Sequence, residues 1–188
     1  MSEMPIRCLP FKKFQGLGND FIFFHKDDIR ALDPAKLAIQ VCNRHFGIGA
    51  DGMAVISIEE DLRMDFYNAD GSIAPMCGNA SRCAALFARE EGLLQANQFN
   101  LQTKGGDVLI TYLPDGNYRA NLQAASLAVE DIPVMSPRDT YMEQILQIGD
   151  ARIELSAVFM TTPHAVIFVN QLKEEDVLFY GPLIENHP

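Results

Sequence analysis

The chain has 188 residues, of which 48% are hydrophobic and 21% charged, a balance that suits a soluble globular protein of one or two small domains with a sizeable core. Its formal net charge of -10 and sequence pI near 4.7 argue against a nucleic-acid partner, because phosphate binding needs a basic surface and the 15 Lys and Arg form no long cluster. Met1 to Cys8 lacks the apolar core of a secretory signal and no later run approaches a membrane span, so no membrane association and a cytoplasmic location are expected.

Short apolar runs punctuated by Gly, Asp and Asn, with two or three helices between them, read as α+β. Phe21 to Phe24 follows the turn Gly16 to Asp20 and reads as a buried strand; Ala35 to Cys42 has apolar residues at helical spacing. Met53 to Ile58 and Leu62 to Asn68 read as strands, and Ala80 to Glu91 as a helix stopped by Gly92. Asp107 to Leu113 and Tyr118 to Leu122 flank Pro-Asp-Gly-Asn, a strong hairpin signal. Leu127 to Thr140, with Pro133 and Pro137, reads as a connection between units. Strands are then expected over Ala151 to Met160 and Ala165 to Val169, and a short helix near Lys173 to Phe179.

Cys8, Cys42, Cys77 and Cys83 match no zinc spacing, and a reducing compartment would keep them as thiols; no metal is expected. Cys77 differs from the others in standing in a polar, Gly- and Asn-rich turn just before the helix at Ala80. Unpaired amide N–H groups at a helix start stabilise a thiolate and also form a place for a ligand carboxylate. Gly78 lets backbone N–H groups approach a substrate, and Asn79 offers a helix-capping oxygen or a ligand contact. The competing reading of Cys77 is a buried structural cysteine, a common fate for a free thiol.

Three further turns, Gln15 to Asp20, Gly47 to Gly52 and Asn68 to Ser72, are either ordinary tight turns or the rim of one pocket. In the second case Asn19 and Asn68 supply paired donor and acceptor groups to a small polar ligand. Gly47 and Gly49 do not complete the G-x-x-x-x-G-K-[ST] pattern of a phosphate loop, and no clear βαβ dinucleotide unit accompanies them.

Phe14-Gln-Gly-Leu-Gly-Asn-Asp-Phe21, Arg44-His-Phe-Gly-Ile-Gly-Ala-Asp-Gly52, Asn68-Ala-Asp-Gly-Ser72, Met76-Cys-Gly-Asn79 and Pro163-His164 together resemble the diaminopimelate epimerases, in that family's order and approximate spacing. The resemblance implies an α+β fold of two similar domains, each a sheet wrapped around a central helix. It also implies cofactor-independent interconversion of LL- and meso-diaminopimelate, in lysine and peptidoglycan precursor synthesis. Two cysteines would face opposite sides of the substrate α-carbon, one thiolate removing the α-proton while the other thiol returns a proton. Thiols suit this work because their pKa is tunable to the working pH, and without pyridoxal the site's dipoles must stabilise the carbanion. By resemblance Cys77 is one of the two, His164 assists the thiols, Gly78 and Asn79 grip the α-carboxylate or α-amino group, and Asn19 and Asn68 hold other polar ends. A satisfied structural histidine is the alternative for His164.

The resemblance also implies departures. The family's second cysteine maps to none of Cys8, Cys42 or Cys83, and Cys83 falls within the helix that Cys77 precedes, where packing is its expected role. Thr161-Thr162 stands where the family usually has Gly-Asn, and Ala80-Ser81 where it usually has Gly-Ala. Residues 1–125 are expected to form the first domain, with the Cys77 turn and helix, and residues 126–188 a connection and the incomplete start of the second. Its strand edges are expected to pair with another copy or a complementary chain, unless the sequence is a fragment. Poor turnover by these 188 residues alone follows as an expectation. A related isomerase acting on proline derivatives and a catalytically inactive binding or assembly module remain as alternatives. A thiol hydrolase or redox protein has less support, since nothing orients His164 for acyl transfer and there is no C-x-x-C motif.

Overall fold

The computed structural model describes residues 8–122 and 124–188; Met1 to Arg7, expected to lack a signal core, lies outside the described residues. Two compact units meet in sequence between Leu122 and Gln123.

The first unit is built on an eight-stranded sheet. Strands β1 (Lys12–Gly16) and β2 (Asn19–His25) form a hairpin, followed by α1 (Lys26–Ile29) and α2 (Pro34–Cys42). Next come β3 (Gly52–Ile58), β4 (Leu62–Asn68), the short β5 (Ile73–Ala74) and α3 (Gly78–Glu90), then β6 (Gln98–Thr103), β7 (Gly106–Tyr112) and β8 (Tyr118–Asn121). The strand order is β1-β2-β3-β4-β6-β7-β8, with β5 beside β4. Only the β2–β3 and β4–β6 neighbours are parallel, and each such pair needs a helical crossover, supplied by α1 with α2 and by α3. The Pro-Asp-Gly-Asn hairpin forms as expected, with Tyr112 opposite Tyr118 and Gly116 at positive φ.

The run Phe21-Ile-Phe-Phe is apolar throughout because β2 is buried on both faces. Phe21 and Phe23 enter one core with Ala54, Ile56, Met64, Phe66 and the residues of α3, whereas Ile22 and Phe24 enter another with Met53, Val55 and the residues of α1 and α2. Alternate side chains of a strand point to opposite faces, so a central strand between two helical layers has no polar side.

Helix α3 is enclosed by the sheet. Its buried residues Ala80, Cys83, Ala84, Phe87 and Ala88 recur at i, i+3, i+4, i+7 and i+8, one continuous stripe. The helix packs on β1 and on β8, at opposite ends of the strand order, as well as on β2, β3, β4 and β7, so the sheet curls around it. Alanine along the stripe permits close approach, and Phe87 fills the space beyond by stacking on Phe23 (centroids 5.7 Å apart) and meeting Phe14 edge-on at 6.4 Å. The helix ends in a Schellman arrangement: Gly92 takes φ +68°, its N–H donates to Arg89 O, and the Leu93 N–H donates to Ala88 O at 2.8 Å.

The second unit holds a three-stranded antiparallel sheet of order β11-β10-β9, formed by β9 (Gln144–Ile148), β10 (Ala151–Met160) and β11 (Thr162–Val166), and then α4 (Glu174–Glu185). Strand β10 has the bounds expected of it. Strand β11 is displaced three residues toward the N-terminus from the expected Ala165 to Val169, sharing only Ala165 and Val166 with it, and includes Pro163, which an edge strand tolerates because its missing N–H need not serve a ladder. The last helix runs past Phe179 to Glu185, with Pro182 inside it. β1, β6 and β9 had no counterpart among the strands expected from sequence: β1 and β9 alternate half-buried and exposed positions, and β6 buries only Leu101 among Gln, Asn and Thr, each a weaker signal than an apolar run.

Two outcomes test this packing. Phe87→Ala should cost about 3–5 kcal/mol of stability in urea denaturation, since the pocket between Phe14 and Phe23 has no side chain to refill it. Thr161, a β-branched residue at φ +67° in the turn between β10 and β11, should gain up to about 1 kcal/mol on replacement by Gly, as relief of left-handed strain outweighs the added unfolded-chain freedom.

Candidate functional site

Cys77 caps α3 with its own side chain. At φ -139° and ψ 114° it is extended, its carbonyl accepts the Ser81 N–H at 2.9 Å, and its Sγ lies 3.5 Å from the Ala80 N–H. The thiol is half-buried, and the helix that follows directs its first-turn amides toward it. The N–H groups of Gly78 and Asn79, being the first two of the helix, have no intrahelical acceptor by position. Asn79 is therefore not the cap that its sequence position allowed. Its Oδ1 accepts from Arg82, one helical turn later, which also donates to Gly78 O at 3.2 Å, leaving the Asn79 amide NH2 and backbone N–H available.

The other cysteines are of a different kind. Cys83, on the buried face of α3, and Cys42, the buried last residue of α2, are both pushed up to about 11, first by burial. Thiols so held remain protonated near neutrality and pack as small apolar groups. Cys8 is exposed.

The strand ends bring the remaining turns to one end of the sheet. In register, Phe21 lies opposite Gly52 and Gly52 opposite Asn68, so the β1–β2 turn, the loop into β3 and the turn after β4 share that end. From there β5 runs back beside Phe66 and Tyr67 and leads through Met76 to Cys77. Gly16 abuts the first turn of α3: a Cβ placed on it would lie 3.5 Å from Asn79 O. The start of α3 is thus brought beside Gly16, which pairs with Asn19 across the β1–β2 turn, while Asn68 stands at the same end of the sheet two strands away. His164 stands in the second unit, exposed on β11 opposite Val158, with Nε2 3.2 Å from Thr162 Oγ1. The cavities described within the first unit lie elsewhere, around His25 and, for one of them, Phe87 and Glu91 at the far end of α3.

Behind Asn19 and Asn68 are carboxylates. Asn19 Nδ2 donates to Asp51 Oδ2 at 2.7 Å; Asn68 Nδ2 donates to Ser72 Oγ at 2.9 Å, and that hydroxyl donates to Asp70 at 2.6 Å. Arg44 donates to both Asp20 and Asp51 at 2.7 Å, and Lys13 lies 3.0 Å from Asp20. Arg44 and Lys13 hold the Asp20 carboxyl far below the usual carboxylate range, and the two carboxylates push Arg44 up. Sequence reading assigned no role to Arg44, Asp51 or Arg82. The first two were visible only as members of a quoted motif, and Arg82 only by its i+3 spacing from Asn79. The loop that carries Arg44 is tightly folded: a Cβ on Gly47 would fall 2.2 Å from Gln40 O, so only glycine fits.

The profile of the diaminopimelate epimerase family matches residues 11–127. The chain is 38% identical over 186 residues to the diaminopimelate epimerase of Desulforudis audaxviator, covering 96% of this chain and 67% of that protein. It is 37% identical over 190 residues to that of Halothermothrix orenii, with the same coverage. The chain thus spans about two thirds of the length of these curated relatives. Among solved structures, a hydroxyproline epimerase from Agrobacterium vitis superposes with a TM-score of 0.66 at 11% identity, over 96% of this chain and 61% of that one. A probable proline racemase from Agrobacterium radiobacter gives 0.66 at 12% identity, over 90% and 55%. At such identities these two show a shared fold.

The charge cluster has a signed consequence for pH. Asp20 is depressed in the folded state, so its contribution is present above the unfolded carboxylate value of about 4 and is lost as pH falls below it. Arg44→Met should lower stability at pH 7 and flatten the loss between pH 7 and pH 3, measured by urea denaturation at the two values. An unchanged acid slope would show that the cluster contributes nothing to acid sensitivity.

Proposed function

Because this chain belongs to the diaminopimelate epimerase family, we propose that it is an isomerase acting on diaminopimelate, with Cys77 the thiol that exchanges the α-proton on one face of the substrate. The observation that carries this reading is the placement of Cys77 Sγ at the start of α3, beside the outward N–H groups of Gly78 and Asn79. Those amides and the helix dipole favour two negative charges in turn: the thiolate that takes the proton, and the carboxylate whose neighbouring carbon becomes carbanionic. Asn79 contributes its amide NH2 on the same side, while Asn19 and Asn68 hold the substrate's remaining polar groups. By the family resemblance, His164 is the residue that assists proton transfer.

Neither Cys83 nor Cys42 serves as the opposing thiol, since both are buried in the apolar cores of the first unit. By the family resemblance, that thiol belongs to a segment these 188 residues do not include. No organic cofactor enters this chemistry. Among the described residues no helix is long and apolar enough to cross a membrane. We place the chain in the cytoplasm, where thiols stay reduced and amino-acid precursors are made. Association with a second copy or a complementary chain through the second unit belongs to the same proposal.

Alkylation of Cys77 by iodoacetamide, followed by peptide mass spectrometry, tests the assignment directly. Diaminopimelate should slow labelling of Cys77 in proportion to occupancy and leave Cys8 unaffected. In the full-length context, Cys77→Ala should reduce solvent-deuterium incorporation at the substrate α-carbon by about 10²–10⁴-fold. Protection by proline alone would favour the proline-type isomerase, and protection by neither would overturn the reading in favour of an inactive binding module.

A further inference from the structure

Asn19 is held in one amide orientation. Its Nδ2 lies 2.7 Å from Asp51 Oδ2, and an ionised carboxylate only accepts hydrogen bonds. The NH2 group must face Asp51 and the carbonyl oxygen must face away, so the chemistry of the partner settles the choice between the two flips. Asp51 is itself pinned. Its Oδ1 accepts from Arg44 at 2.7 Å, its Oδ2 also accepts the Asp20 N–H at 3.0 Å, and its own N–H donates to Asp20 O at 2.9 Å. Arg44 is fixed in turn by two bonds to Asp20, at 2.7 and 3.2 Å. A carboxylate at position 19 would sit against that of Asp51, a like-charge contact that an amide avoids.

We propose that Asp51 is a positioning residue that presents the Asn19 amide oxygen, and not its NH2, to the ligand. Asn19 is then an acceptor for a ligand N–H or ammonium group and rejects a ligand with a carboxylate or a bare methylene at that place. This rests on the reading above that Asn19 touches the substrate. It adds the polarity of that contact and the residue that sets it. The mechanism is electrostatic: a donor-only cation on one side of Asp51 and a donor amide on the other leave a single arrangement in which every bond is satisfied.

Nuclear magnetic resonance of the 188-residue chain, labelled with ¹⁵N, tests the positioning without any ligand. The Asn19 side-chain NH2 resonances, assigned by their loss in Asn19→Ala, should show one proton shifted downfield and exchanging with water more slowly than those of solvent-facing Asn side chains. Asp51→Ala should abolish both signatures while the backbone amide spectrum is retained. If that variant does not fold, Asp51→Asn, which keeps the shape but turns one acceptor into a donor, takes its place. Calorimetry with meso-diaminopimelate and 2-aminopimelate, which lacks one amine, tests the polarity. The wild-type chain should prefer the diamine about tenfold, the value of one hydrogen bond to a charged group. Asn19→Ala and Asp51→Ala should each erase the preference, with no further loss in the double variant. A wild-type Asn19 amide that exchanges freely would overturn the proposal, as would an Asp51→Ala protein that weakens both ligands equally. If neither ligand binds the wild type, the functional reading fails, while the amide resonance still decides whether Asp51 orients Asn19.

Discussion

The enclosure of α3 by the curled sheet is the constraint on which the rest of the first unit depends. A helix whose buried stripe is mainly alanine, with one phenylalanine, lies close to the strands around it, so it has little room to slide or rotate. That fixes its first residue as firmly as its middle. Cys77 therefore owes its position to Phe87, Ala84 and Ala80, none of which needs to touch a substrate. The same packing places Gly16 against Asn79 and so brings the β1–β2 turn to the helix start.

One chain holds thiols in contrasting surroundings, and the geometry of a single helix sets two of them apart. Cys83 lies six positions after Cys77 on the same helix, yet it faces the core, where the loss of water penalises the thiolate. Cys77, at the cap, keeps partial access to water and meets backbone N–H groups. Exposure of a thiol here follows from which end and which face of a helix the cysteine occupies.

The cluster of Arg44, Asp20, Asp51 and Lys13 performs the corresponding task for the turns at one end of the sheet. Loops carry many unpaired backbone groups and little apolar area, so a cluster of turns needs other means to hold its side chains still. Charged hydrogen bonds at 2.7 Å between Arg44 and two carboxylates tie the loop into β3 to the start of β2. Asp70 and Ser72 repeat the device on a smaller scale behind Asn68.

Several features were legible in the amino-acid order: the doubly buried β2, the helix from Ala80 to its glycine stop, the Pro-Asp-Gly-Asn hairpin, and the cysteine before the helix. Each is a local consequence of side-chain period, capping or turn stereochemistry, written in adjacent residues. The sheet order, with its two parallel neighbours, was not legible, nor were the half-polar strands β1, β6 and β9, which pair with the next strand in sequence but carry no apolar run to mark them. Quoting Arg44 and Asp51 within a motif did not reveal that Arg44 clamps two carboxylates or that Asp51 orients Asn19. Those roles arise when parallel pairing of β2 and β3 places residues 31 or 32 positions apart within hydrogen-bond reach. The sequence by itself determined the family and the chemical character of the Cys77 turn, because both reside in short contiguous runs. Only the tertiary structure decided which thiols are buried and how the amides of Asn19 and Asn68 are turned, because burial and hydrogen-bond polarity belong to neighbours in space.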